Sequence, residues 1–532
     1  MRLIRLALAP AVLLAALVLA PQASAFSQPE QLHSRNGVLK ATFTAAPGSA
    51  MIDGRRVHGA YTYNDQYIGP TLNVKPGDTI DLRVINKLPE ETNIHFHGLH
   101  VSPAGIADNV LRRFRPGKSY HVLVKIPHDH PNGLYWYHPH LHGQVNSQVF
   151  RGMAGLVSIK GGEAEVKSLK KFKRRQIALS LAEFTPDGSS LVNPNDQNDL
   201  QTTTLVNRRS DQTISMHPGD VERWQIANIS NEGFLKVGLE GHDMWIVGED
   251  GNPTRVAIKA KTIMIPPGSR FEVLVRAKSK GTFKLKQYPS FEGFNSFPGQ
   301  DLLTLKVSGD EHPFTAIPRK IRAFNDLSKS KVTTRRTWVL SFGPNNAPQF
   351  QALINGKQFD PDRIDTVAKI NGVEEWTFIN QTTEDHPIHL HTNDFQVVEV
   401  NGNKRTPQAP IDNYILPRSG SIKIRFQPRT YEGIAVFHCH ILFHEDSGMM
   451  ATIKYVHSGS STSTVRAAGQ PSVHDEAVAG ARVFDAGSVE PIGGHPEKHD
   501  HAMHAHAVPV GYGPGGDPAN PGVNAWLFCR LD

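Results

Sequence analysis

The 532-residue sequence predicts an all-β protein of three consecutive β-sandwich domains followed by a disordered, His-rich C-terminal tail. Three observations predict it. Two short motifs recur along the chain with a period of roughly 150 residues, which is domain-sized. Each copy alternates apolar and polar residues behind a Pro-Gly or Gly turn, the mark of a half-buried strand. No long amphipathic helical stretch interrupts the region that carries them.

The chain opens on Arg2 and Arg5, an apolar run from Leu6 to Ala20, and Ala23-Ser24-Ala25 before Phe26. This reads as a secretory signal peptide over 1–25, too short for a comfortable membrane span. The two arginines are not adjacent, so a Sec-type route to the periplasm or the medium is expected rather than a twin-arginine one. Domain 1 is expected over 26–162, domain 2 over 163–312 and domain 3 over 313–456. The first motif runs Lys75-Pro-Gly-Asp-Thr-Ile-Asp-Leu-Arg-Val-Ile-Asn86, returns as His217–Asn228 and persists in degraded form over Asn371–Asn380. The second is Arg115–Val124, then Pro266-Pro-Gly-Ser-Arg-Phe-Glu-Val-Leu-Val275, then Arg418–Phe426. A basic run from Lys167 to Arg175 at the first junction reads as a solvated linker rather than an anionic-partner site. Over 457–532 the pattern stops. Ser458 to Ser463 is a Gly/Ser/Thr linker, and His495, His499, His501, His504 and His506 lie near Met503. That tract is either a plain surface tail or a weak copper-collecting arm. Ala525 to Arg530 is apolar enough to dock, at no place the sequence identifies.

Composition narrows the class. Only Cys439 and Cys529 are present, so disulfides do not hold this exported fold together. A lone core cysteine then reads better as a metal ligand than as a structural residue. The formal charge of +7 falls by two, to +5, once the leader arginines are removed. Nothing points to a nucleic-acid partner or to a membrane-embedded protein, and a monomer is expected.

The chemistry concentrates in His438-Cys439-His440-Ile-Leu-Phe-His444-Glu445-Asp-Ser-Gly-Met449. On a strand, successive side chains face opposite ways, so His438 and His440 point one way and Cys439 the other. One tripeptide can thus serve two metal centres. On the Cys439 side, His444 and Met449 follow at spacings that suit a loop wrapping back. A thiolate, imidazoles and a weak thioether make a blue-copper electron-transfer site. Three more clusters carry histidines: His95 and His97; His138 and His140; His386, His389 and His391. One His-x-His pair is weak evidence, but four clusters at strand-like segments are specific. Of the ten histidines, two complete the blue site and eight remain, split evenly between domains 1 and 3. Aligning the copies shows the gap: where the outer domains read Tyr137-His-Pro-His140 and Phe437-His-Cys-His440, the middle one reads Lys286-Gln-Tyr288. A cluster between domains 1 and 3 follows, with domain 2 as a spacer.

With these four motifs in this order, residues 40 to 456 resemble the multicopper oxidases, a family of laccases, ascorbate oxidase, ferroxidases and copper-efflux oxidases. The resemblance implies cupredoxin-like Greek-key domains and about four coppers: one type 1, one type 2 and a type 3 pair. It makes His386, Cys439, His444 and axial Met449 the type 1 ligands. His95 and His389 would hold type 2 copper, and His97, His138, His140, His391, His438 and His440 the type 3 pair. Electrons from a small reducing substrate would cross Cys439 and reduce dioxygen to water. An axial methionine implies a moderate rather than a high potential. Glu445 and Asp108 match acidic positions that supply protons in such enzymes, against the alternative of ordinary surface acids. A laccase-like phenol oxidase is the first expectation. A Cu(I) or Fe(II) metallo-oxidase is the alternative, less favoured for copper because the nine methionines form no cluster. A non-catalytic copper buffer or division-associated scaffold of the same fold comes last, since it has no need of the full ligand set.

Overall fold

The computed structural model describes residues 24–192, 202–457 and 459. The expected leader up to residue 23, the His-rich tract and Cys529 lie outside the described residues. Six sheets form three sandwiches. In each one, the two recurring motifs become neighbouring antiparallel strands: Thr79–Asn86 with Ser119–Lys125, Val221–Asn228 with Arg270–Arg276, and Glu374–Asn380 with Ser421–Phe426. A parallel strand flanks the first motif every time, namely Val38–Ala45, Lys173–Leu179 and Thr334–Leu340. The sequence repeat is therefore a structural repeat, and the three domains are cupredoxin domains.

The second sheet of each sandwich carries the strand that differs between copies. In the first domain, Gly133–His138 lies between His95–His97 and Gly155–Ile159. In the third, Gly433–Cys439 lies between His386–Leu390 and Met450–Val456. The middle equivalent is Gly281–Tyr288, between Leu235–Leu239 and Gln300–Val307. Ser24 and Ala25 pair with Gln212 and Thr213 of the middle sandwich, while Gln31–His33 joins the first.

Apolar packing joins the sandwiches as well as filling them. Leu134 and Trp136 share a buried cluster with Ala178, Leu205, Ala227 and Ile229 of the middle domain. Two short helices, Val145–Phe150 and Leu442–Asp446, meet through Val145, Val149 and Leu442, which ties the first domain to the third. Among the described residues, no helix is long and apolar enough to cross a membrane.

Candidate metal centres

Alternation along Gly433–Cys439 sends His438 and Cys439 to opposite faces. On the thiol face, His386 Nδ1 lies 3.4 Å and His444 Nδ1 3.8 Å from Cys439 Sγ. His386 comes from the adjacent strand. His444 comes from the helical turn Leu442–Asp446, where the sequence suggested a loop. Met449 is fully buried; its N–H donates to the His444 carbonyl at 2.9 Å and its own carbonyl accepts the Cys439 N–H at 3.0 Å. The outer imidazole nitrogens are also held. His386 Nε2–H donates to Thr382 Oγ1 at 2.7 Å, and His444 Nε2 lies 3.2 Å from Glu384 Oε2. Each imidazole therefore turns Nδ1 toward the sulfur. Burial pushes the Cys439 thiol well above its usual range, against a weaker pull from the Ile441 N–H. A thiolate here needs a cation beside it.

On the other face, eight imidazoles meet, none more than 2% exposed. The same register builds both halves: His95 pairs with His138, and His389 with His438. His438 Nε2 lies 3.1 Å from both His140 Nε2 and His391 Nε2, and His440 Nε2 lies 3.2 Å from His97 Nδ1. The Nε2 atoms of His95, His138 and His389 are buried with no hydrogen-bond partner. Burial first, and neighbouring imidazoles second, hold His95, His140, His391 and His440 well below the usual imidazole range; His138 is lowered to about 3 by burial. Neutral rings with converging lone pairs are what a metal requires. The donor set, imidazole on one face and imidazole with sulfur on the other, fits copper.

Both acids singled out from the sequence are here, and neither is a surface group. Asp108 accepts from His95 Nδ1 at 3.0 Å and from the Phe96 N–H at 2.9 Å. Burial raises its carboxyl to about 8 despite the Phe96 contact. Fully buried Glu445 has Oε1 3.3 Å from His140 Nδ1 and Oε2 3.1 Å from His438 Nδ1. These approaches are close but not aligned as hydrogen bonds, because His438 Nδ1–H donates to the Cys439 carbonyl at 2.9 Å.

The spacer expectation for the middle domain needs correction. Its Pro266–Arg270 turn enters the centre, and a Cβ on Gly268 would sit 2.9 Å from the His440 ring. Arg270 pairs with Asp412, which in turn contacts His97 and His389. Sequence reasoning missed Arg270, Asp412 and Asp250. The Pro-Gly repeat had marked the turn but not what lies against it.

Three family models described as multicopper oxidase match this chain, over residues 44–164, 166–296 and 330–458. The chain belongs to the multicopper oxidase family. This multicopper oxidase is 27% identical to a Staphylococcus haemolyticus multicopper oxidase, over 80% of this chain and 90% of that one. It is 25% identical to a cell division protein, FtsP, of Xenorhabdus nematophila, over 65% of this chain and 73% of the relative. Among solved structures, a Campylobacter jejuni multicopper oxidase described as a metallo-oxidase superposes with a TM-score of 0.71 at 26% identity, covering 82% of this chain and 96% of that one. Copper is thus the metal of this oxidoreductase. Aromatic rings crowd its thiol-side histidines: Phe342 lies 5.4 Å from the His444 ring, and Phe350 stacks on Phe443 at 5.4 Å.

Proposed function

We propose that this multicopper oxidase takes electrons one at a time at His386, Cys439, His444 and Met449, and reduces dioxygen to water at the eight-histidine cluster. The observation that carries this reading is Cys439 joined by peptide bonds to two cluster histidines, His438 and His440. The hydrogen bond from His438 Nδ1 to the Cys439 carbonyl adds a second path across the same tripeptide. Copper, when bound, supplies the one-electron redox steps. As the family resemblance implies, His95 and His389 would hold type 2 copper, and His97, His138, His140, His391, His438 and His440 the type 3 pair. Glu445 and Asp108 hold and pass the protons, since imidazoles committed to metal cannot release one without changing the bond. We assign the protein to the periplasm or the medium, on the leader read from residues 1–25.

The reducing substrate is aromatic in this reading, because Phe350 and Phe443 are 44% and 39% exposed beside His444 and offer stacking faces. A second reading, a reducing metal ion, is favoured by Glu384 on His444 Nε2 and by the metallo-oxidase relative. The FtsP likeness raises a scaffold role, against which the full ligand set speaks. Steady-state oxygen uptake by copper-loaded protein with a phenol, Fe(II) and Cu(I) decides among the three. A phenol as best reductant is the expected result, Fe(II) or Cu(I) selects the second reading, and no uptake with any overturns oxidase function.

A further inference from the structure

We propose that Arg270, carried by the metal-free middle domain, is a positioning residue for the histidine cluster and acts through Asp412 on His97 and His389. The inference rests on the reading that this cluster holds copper.

Arg270 and Asp412 are each 1% exposed, and they come from different domains. Nη1 donates to Asp412 Oδ1 at 2.7 Å and Nη2 to Oδ2 at 2.5 Å, a two-pronged pair that fixes the plane of the carboxylate. The fixed carboxylate then faces two imidazoles. His97 Nε2–H donates to Oδ1 at 3.1 Å, and His389 Nδ1–H donates to the Asp412 carbonyl at 2.7 Å. The two rings stack, centroids 3.8 Å apart and 11° from parallel. An imidazole that donates from one nitrogen presents a lone pair at the other. His97 thereby turns Nδ1 toward His440, and His389 turns its partnerless Nε2 into the cluster. The Asp412 carboxylate sets the His97 tautomer, the carbonyl of the same residue sets that of His389, and one guanidinium fixes the carboxylate.

Arg270 is itself immobilised. Its backbone N–H donates to Asp250 Oδ1 at 2.9 Å, Nη1 also donates to the Gly268 carbonyl at 3.1 Å, and Nε to the Leu134 carbonyl at 3.3 Å. Asp250 Oδ2 also accepts the Asn413 N–H at 3.1 Å, so the same pair of acids holds both sides of the junction. Sequence around the ligands makes room for this. Gly98, next to His97, has φ +82°, and a Cβ there would overlap the guanidinium and the Asp412 carboxylate. The arrangement makes docking of the middle domain a condition for both outer domains to present their ligands in register.

The test uses full-length Arg270→Lys, which keeps the charge and loses the fork, and Asp412→Asn, which keeps the shape and loses the charge. Type 1 absorption, the type 2 paramagnetic resonance signal, copper retained against a chelator, and melting of the copper-free protein are read for each. Both variants are expected to keep the parent's blue band, while copper-free melting falls, more for Asp412→Asn than for Arg270→Lys, because a buried ion pair is broken. Their type 2 hyperfine splitting should change, and they should hold cluster copper about 10- to 100-fold more weakly. Variants that match a copper-replete parent in splitting and retention overturn the inference alone. So does loss of the blue band in step with cluster copper, which is what a purely structural role predicts. If Arg270→Lys does not fold, Asp412→Asn is judged by the same outcomes. A parent that binds no cluster copper overturns the copper reading and this inference with it.

Discussion

Strands Gly281–Tyr288 and Gly433–Cys439 hold equivalent places in two sandwiches of one build, and only the second carries ligands. Where His389 pairs with His438, the middle sheet pairs Gly238 with Lys286. The scaffold alone therefore confers no affinity for metal. A centre needs histidines on two facing strands at once, plus a second sandwich to complete the shell. The middle domain has neither, and it contributes through its turn instead. Ligand supply and ligand alignment are divided between copies of the same fold.

The largest effect tests the supply side. Cys439→Ser should remove the blue colour and bring turnover to the uncatalysed background, while the type 2 signal remains because the eight cluster histidines are untouched. Substrate oxidation near the parent rate in that variant would show that electrons take another route. Next in size is Glu445→Gln, which keeps the side chain's shape but cannot ionise. Dioxygen reduction should slow by about 10²- to 10⁴-fold, with anaerobic reduction of the type 1 site near the parent rate. Equal loss in both half-reactions assigns Glu445 to folding instead.

Asp108→Asn should lower turnover by roughly 10- to 100-fold, the usual size for a group that orients a ligand. It also has a pH signature. Burial raises Asp108 to about 8, far above the roughly 3.9 of an unfolded chain. An acid with a raised folded value stabilises fully below its unfolded value, and that contribution fades as pH climbs through the folded one. Melting of the copper-free parent should therefore fall relative to Asp108→Asn between about pH 4 and pH 8. Parallel melting curves across that window would remove the claim.

Smaller effects are expected at the thiol-side surface. Phe443→Ala should raise KM for a phenol by a few-fold and leave Fe(II) oxidation unchanged, and Glu384→Gln the reverse; KM against kcat for each substrate separates them. The smallest effect on metal belongs to the middle domain. Gln287→His places a histidine at the position equivalent to Cys439, yet copper content should stay at the parent value because no histidine faces it. The variant should lose about 1–3 kcal/mol of stability, read by denaturant unfolding, since Gln287 accepts from Thr204 Oγ1 and donates to the Pro298 carbonyl. An added copper would mean that the sandwich is closer to a metal site than its facing strand suggests.

What could be read from sequence follows from how narrow each physical demand is. Copper ligation accepts few residue types, and strands space most of them by two, so twelve candidate ligands could be picked out; the structure brings the Cys439 thiol with His386 and His444 to one buried point and the eight other histidines to another, with Met449 buried on the chain after His444. Asp108 and Glu445 were legible because each lies close in the chain to a histidine it touches. Arg270 and Asp412 were not. They are 142 residues apart, and an arginine and an aspartate are unremarkable in any sequence until the fold buries them together. The surroundings of His444 were equally hidden. A hairpin of the middle domain, Ser290–Phe297, reaches the third domain there, its Glu292 carbonyl accepting the Asp385 N–H at 2.6 Å. No periodicity announces such a contact.

Cys439 is the only cysteine among the described residues, and it is fully buried with its thiol pushed far toward the protonated form. Nucleophilic attack on peroxide or on a disulfide needs the thiolate and a path to it. Until copper arrives, this sulfur has neither. The folded chain is thus chemically patient: it can remain in oxidising surroundings without spending its one indispensable thiol on sulfenic acid or a mixed disulfide. The low dielectric that makes the metal necessary for ionisation also keeps the ligand intact for the metal.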